Sequence, residues 1–157
     1  MTTLALESGT VELAVPEEFF LVEKEDYGKY VSSGTSVPVC AWRNEKTDTL
    51  FSVFCTGTEL KPDNVEQRIA SYWSAYKRMV PGFVPGQLRT KQINGNKMAV
   101  MSYQSNAPTK DLMNVLAVFS LKGQEVLLLY GGPLDEKAPS HLQQAVRILE
   151  SISIKEE

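Results

Sequence analysis

Apolar and polar residues alternate across residues 10–15, with Val11, Leu13 and Val15 on one side, and this period of two predicts a half-buried strand that Pro16 stops. Residues 19–22 extend the edge. Residues 37–43 and 49–56 carry two further strand patterns, and the polar run Asn44-Glu45-Lys46-Thr47-Asp48 between them predicts a hairpin. Phe51, Val53 and Cys55 share one face of it, with Phe54 and Trp42 free to face elsewhere.

The period then changes. Val65, Ile69, Tyr72, Trp73, Tyr76, Met79 and Val80 recur at helical spacing within an arc of roughly 120°, the width of a core-facing stripe. Asp63 and Glu66 form a capping-box pattern after Pro62, and Pro81-Gly82 ends the helix. Residues 86–93 and 97–104 are joined through Asn94-Gly95, which tolerates positive φ and predicts a type I′ hairpin. Residues 112–121 and 125–130, linked by Lys122-Gly123, are nearly continuous in apolar residues, as central strands covered on both faces must be. A last helix over 140–151, with Ser140 and Gln143 as its capping pair, puts Leu142, Ala145, Val146, Ile148, Leu149 and Ile152 on one side and supplies one covering layer. The predicted fold is α+β, a single-domain α/β/α sandwich over residues 1–157 whose largely antiparallel sheet is flanked by two main helices.

A chain of 157 residues, 43% hydrophobic and 22% charged, is long enough to bury one core without disulfides or metal. Its apolar runs fall far short of the roughly 20 residues that span a bilayer, so no membrane insertion is expected. The start, Met1-Thr2-Thr3-Leu4-Ala5-Leu6-Glu7, lacks the features of a secretory leader, and a cytoplasmic location is the expectation. Cys40 and Cys55 do not fall opposite one another if residues 44–48 turn, so reduced thiols are expected.

Charge is unevenly placed. Residues 67–110 contain no Asp or Glu, while Arg68, Lys77, Arg78, Arg89, Lys91, Lys97 and Lys110 supply seven positive charges. Residues 1–66 carry twelve acids against five bases, and residues 111–157 carry seven against four. Such a region either steers an acidic partner or pairs with the acidic flanks in the fold.

The order of elements, with Pro16 after the first strand, Pro81-Gly82-Phe83 after the long helix, Ile93-Asn94-Gly95-Asn96-Lys97 and Leu121-Lys122-Gly123 between strands, and Leu149-Glu150-Ser151-Ile152 closing the last helix, resembles the PsbP-like and DcrB-related superfamily. The resemblance spans nearly the whole chain and implies an α/β/α sandwich. It also implies a mostly non-enzymatic function, as in photosystem extrinsic subunits, a Ran-binding nuclear transport factor, DcrB lipoproteins and type VI secretion effector chaperones. With no leader in view, it points to the cytoplasmic adaptor or chaperone branch. The matching positions are structural, so no binding residue is carried over.

Catalytic chemistry is sparse. His141 is the only histidine, which excludes multi-histidine metal sites, and at the start of the last helix it is expected to face solvent or to make a helix-end contact. Cysteines inside apolar strands make poor nucleophiles, so pairing Cys40 or Cys55 with His141 is not expected. Gly131-Gly132-Pro133 lacks the spacing and the Lys-Ser/Thr ending of a phosphate loop. Glu23, Glu25 and Asp26 are too few for a calcium loop. No cofactor and no metal are expected.

The candidates left are for partner binding: Trp42 as an anchor if its face is uncovered, Arg43 beside it, and the basic residues Lys77, Arg78, Arg89 and Lys91. Tyr72, Trp73 and Tyr76 next to Lys77 and Arg78 resemble a nucleic-acid surface, but they lie on the stripe that packs on the sheet, and the pI of about 5.3 argues against nucleic acid. The expected function is a non-catalytic protein-binding module that holds an apolar or extended segment on a sheet face or edge, its protein or peptide partner acidic or apolar, as monomer or homodimer. The alternative is a small-molecule or lipid-binding domain with an internal apolar pocket, including an enzyme of unrecognised carboxylate chemistry.

Overall fold

The computed structural model describes residues 1–27 and 37–155. Its described elements are strands β1 (Thr2–Leu6), β2 (Gly9–Leu13), β3 (Phe20–Leu21), β4 (Cys40–Asn44) and β5 (Thr49–Glu59), helix α1 (Val65–Met79), strands β6 (Val84–Ile93), β7 (Asn96–Asn106), β8 (Asp111–Leu121) and β9 (Gln124–Pro133), helix α2 (Ala138–Glu150) and strand β10 (Ser153–Lys155). Seven strands form one sheet in the order β3-β4-β5-β9-β8-β7-β6, every neighbouring pair antiparallel. A separate three-stranded sheet has the order β1-β2-β10.

Turn chemistry sets the register. Asn94 and Gly95 adopt φ of 49° and 83°, closing Ile93 onto Asn96, and Lys122 and Gly123 do the same at 48° and 86° between Leu121 and Gln124. In the β4–β5 hairpin Asn44 pairs with Thr49, and the Asn44 Oδ1 accepts the Lys46 N–H at 3.0 Å. Cys40 lies opposite Val53, and both thiols are free.

The central strands divide the core into two layers. Met113, Val115, Ala117, Phe119 and Leu121 of β8 pack with Val126, Leu128 and Tyr130 of β9 under Ala145, Ile148 and Leu149 of α2 and Val11 and Leu13 of the small sheet. The alternate residues Leu116 and Val118 face the other way, onto Val65 and Ile69 of α1 with Tyr72, Trp73 and Tyr76 beside them. The expected α/β/α arrangement is present, with the second face covered jointly by α2 and the small sheet. Strand β10 escapes a sequence reading because three residues are too short to show a periodic pattern, while β1 alternates half-buried Thr2, Leu4 and Leu6 with exposed residues and is marked as a strand by its pairing with β2.

Several local expectations are corrected. Neither capping box forms: residues Pro62–Asn64 make a 3₁₀ turn ahead of α1, α2 starts at Ala138 so that Ser140 lies inside it, and neither helix has a side-chain cap. Met79 is exposed, because it belongs to the last turn, where the chain leaves the sheet toward Pro81. His141 is buried, because it lies four and seven residues before Ala145 and Ile148 on the core-facing side of α2, against Gly132 of β9. Trp42 is also buried: it sits opposite Phe51, their rings 5.6 Å apart, in the layer beneath α2 and the small sheet.

Replacing Trp42 by Ala should therefore cost about 3–5 kcal/mol through the cavity it leaves. A urea denaturation midpoint close to that of the parent chain would contradict this packing.

Candidate functional site

An open groove of about 480 Å³ runs between α2 and the outer strands of the large sheet. It exists because α2 packs over β8 and β9 while the sheet continues for two strands beyond them. Val100 of β7 and Val115 of β8 are apolar floor residues, and Leu142 and Val146 of α2 form an apolar wall. Cations stand on both rims: Arg89 and Lys91 on β6, Arg147 on α2. Gln87, Ser102 and Gln143 supply neutral polar groups, and no acid is among the lining residues.

A bulge shapes one end. The β6–β7 register shifts between Pro85 and Leu88, and the Gln87 N–H donates to the Ser102 Oγ at 2.9 Å. A Cβ at Gly86 would lie 2.4 Å from that Oγ, so glycine permits the close approach. Beyond the bulge Arg89 lies opposite Val100 and Lys91 opposite Met98, both partners belonging to the layer under α2, so both cations project on the groove side. Lys91 reaches Glu150 at 3.5 Å.

The basic stretch of the sequence is mostly matched by acids outside it. Arg68 pairs with Glu125, Lys91 with Glu150, Lys97 with Glu66 and Lys110 with Asp48. Lys77 and Arg78 are exposed in the last turn of α1, on the opposite face of the sheet from the groove. Arg43 pairs with Asp48 at 2.9 Å. The six residues singled out from the sequence are thus dispersed: Arg89 and Lys91 meet at the groove, Lys77 and Arg78 lie elsewhere, Arg43 is held in its hairpin and Trp42 is core. Arg147, Leu142 and Val146 were missed as site residues, because the helical pattern assigns the two apolar ones to the core stripe. Only the lateral offset of α2 leaves them beside the groove.

A second polar cluster lies under α1. Glu125 is 1% exposed, and its Oε1 accepts hydrogen bonds from the Thr56 hydroxyl at 2.7 Å and the Tyr72 hydroxyl at 2.8 Å. Its Oε2 faces the Arg68 Nε at 3.3 Å but accepts no well-aligned hydrogen bond. Burial, and then the neighbouring carboxylate, push the Tyr72 phenol above its ordinary range, keeping it a donor. The cluster ties α1 to β5 and β9. Burial likewise pushes the Cys40 thiol up to about 12. Among the described residues no group of three or more His, Cys, Asp or Glu could hold a metal ion, and no helix is long and apolar enough to cross a membrane.

Solved structures share this arrangement. The cyanobacterial PsbP (CyanoP) of Synechocystis sp. PCC 6803 superposes with a TM-score of 0.64 at 10% identity, over 98% of this chain and 92% of that one. A variant of Mog1 superposes at 0.58 with 11% identity over 98% and 95%. A Pseudomonas aeruginosa protein of unknown function, PA94, gives 0.57 with 14% identity over 100% and 99%. The chain has the PsbP-like fold. No family model and no curated protein matches the sequence, so the likeness is carried by structure.

Tyr72→Phe should lower stability by about 1.5–3 kcal/mol, since a buried carboxylate loses a donor; an unchanged urea midpoint would contradict the bond. Cys40 should react with a thiol-exchange reagent at pH 8 about a thousandfold more slowly in the folded chain than a free cysteine does, because its thiolate is that much scarcer. Equal rates for folded and unfolded chain, followed by mass spectrometry at Cys40, would contradict its burial.

Proposed function

We propose that this protein is a non-catalytic protein-binding module and that the groove between α2 and strands β6 and β7 holds an acidic segment of a partner. The observation that carries the reading is the groove's composition: apolar floor and wall, cations on both rims, and no acid in the lining. Apolar side chains of a ligand would fill the space over Val100 and Val115, while its carboxylates met Arg89 and Arg147 across the opening. The PsbP-like fold supports a binding role over a catalytic one, and the upward shift of Cys40 leaves that thiol a poor nucleophile. The role that fits is a cytoplasmic adaptor or a chaperone for a secreted effector. Lys77 and Arg78, away from the groove, would act only by long-range attraction.

The groove's volume also lies within the roughly 300–1,000 Å³ of small-molecule sites, which supports a second reading as a site for an anionic amphiphile. The two readings differ in what binds.

Selection of a random peptide library on the purified protein should enrich acidic sequences that contain apolar residues. Reversing Arg89 and Arg147 to Glu should weaken the selected peptides by at least about tenfold at low salt, and less at high salt. Reversing Lys77 and Arg78 should slow association without altering dissociation. No enrichment, or enrichment indifferent to the Arg89 and Arg147 reversal, would overturn the reading; binding of laurate with no peptide binding would favour the amphiphile.

A further inference from the structure

The groove is bounded on its outer side by β6, which is also the last strand of the sheet. An edge strand leaves alternate N–H and C=O groups without a ladder partner, and those groups can template pairing with another chain. We infer that β6 accepts an eighth strand, and that the occupant is an acidic, extended segment of a partner protein rather than a second copy of this chain. This rests on the reading of the groove as a protein-binding surface, since Arg89 serves both.

Charge selects the occupant. Strand β6 carries Arg89 and Lys91 and no acid. A second copy paired antiparallel about Thr90 would set Arg89 of each chain against Lys91 of the other, and like charges directly opposite destabilise a pair. An acidic strand reverses the sign of that interaction. On the other face Leu88, opposite the buried Met101, is 46% exposed and offers an apolar cross-strand neighbour. The fitting segment therefore alternates, with carboxylates on the groove side and apolar residues on the side of α1.

Proline, a bulge and basic residues are also the devices that keep edges from pairing. Here Pro85 and the bulge lie before Leu88, so residues 88–93 remain in regular register with β7, opposite Met101 through Asn96. That regular length suits a docked strand of about six residues, a common strand length. Basic charge on this edge blocks a copy of itself and does not block an acidic chain.

The test uses the unaltered protein and a fluorescent octapeptide alternating Glu and Val, with two derivatives, one N-methylated at its Val amides and one at its Glu amides. Only one set of amides can face β6. Strand addition predicts that the parent peptide binds, that one derivative loses at least about tenfold in affinity while the other keeps it, and that exchange of β6 amides slows in the complex. Arg89→Glu with Lys91→Glu should weaken the parent peptide, whereas Arg147→Glu should affect it little. If both derivatives bind as the parent does, or protection falls on α2 and not on β6, strand addition is wrong and the groove reading stands. If library-selected acidic peptides bind but the alternating peptide does not, the same conclusion holds. If no acidic peptide binds at all, both readings fall.

Discussion

Two neighbouring strands with no polar face impose the rest of this structure. Strands β8 and β9 place Met113, Val115, Ala117 and Phe119 with Val126, Leu128 and Tyr130 toward one side, and Leu116 and Val118 with Leu127 and Leu129 toward the other. Neither side can be left in water, since each buried Leu, Val or Phe is worth about 1.5–3 kcal/mol relative to exposure. A layer is required on each face. Helix α1 provides one, and α2 with the three-stranded sheet provides the other. The buried acid of these strands, Glu125, is accommodated because Thr56, Tyr72 and Arg68 surround its carboxylate from β5 and α1.

The two roofs are not equivalent, and the difference creates the surface feature of interest. Helix α1 lies over β6, β7 and β8, whereas α2 packs on β8 and β9. The groove side of β6 and β7 is therefore left open beside α2. Ion pairing then decides which charges remain available there. Acids from both flanks of the basic stretch pair with Arg68, Lys97 and Lys110, Lys91 keeps only a solvent-exposed contact with Glu150, and Arg89 and Arg147 stand at the opening with no described ion pair. A net charge of -3 for the whole chain hides this arrangement.

Much of the fold was legible because it is written in short-range chemistry. Asn94-Gly95 and Lys122-Gly123 announce tight turns, since their positive φ values are tolerated by few residues, and the apolar runs on either side of Lys122-Gly123 mark the sheet's centre. The helical stripe from Val65 to Tyr76 likewise packs where its period points it. Helix starts were less legible. Ser140 with Gln143 has the composition of a cap, yet the helix begins two residues before Ser140, and His141, four residues before Ala145, lies on its buried face.

Periodicity along the chain, together with turn residues, was enough to determine the kinds of elements, the hairpin connections and the need for two covering layers, because each depends on residues within a few positions of one another. Tertiary packing alone decided that Trp42 is core, that Leu142 and Val146 edge an opening, and that Arg89, Lys91 and Arg147 share it. Those facts depend on where α2 settles across a sheet whose strands are distant in sequence. That lateral position follows from how the buried side chains of α2, the small sheet and β8–β9 fit together, which no local pattern encodes.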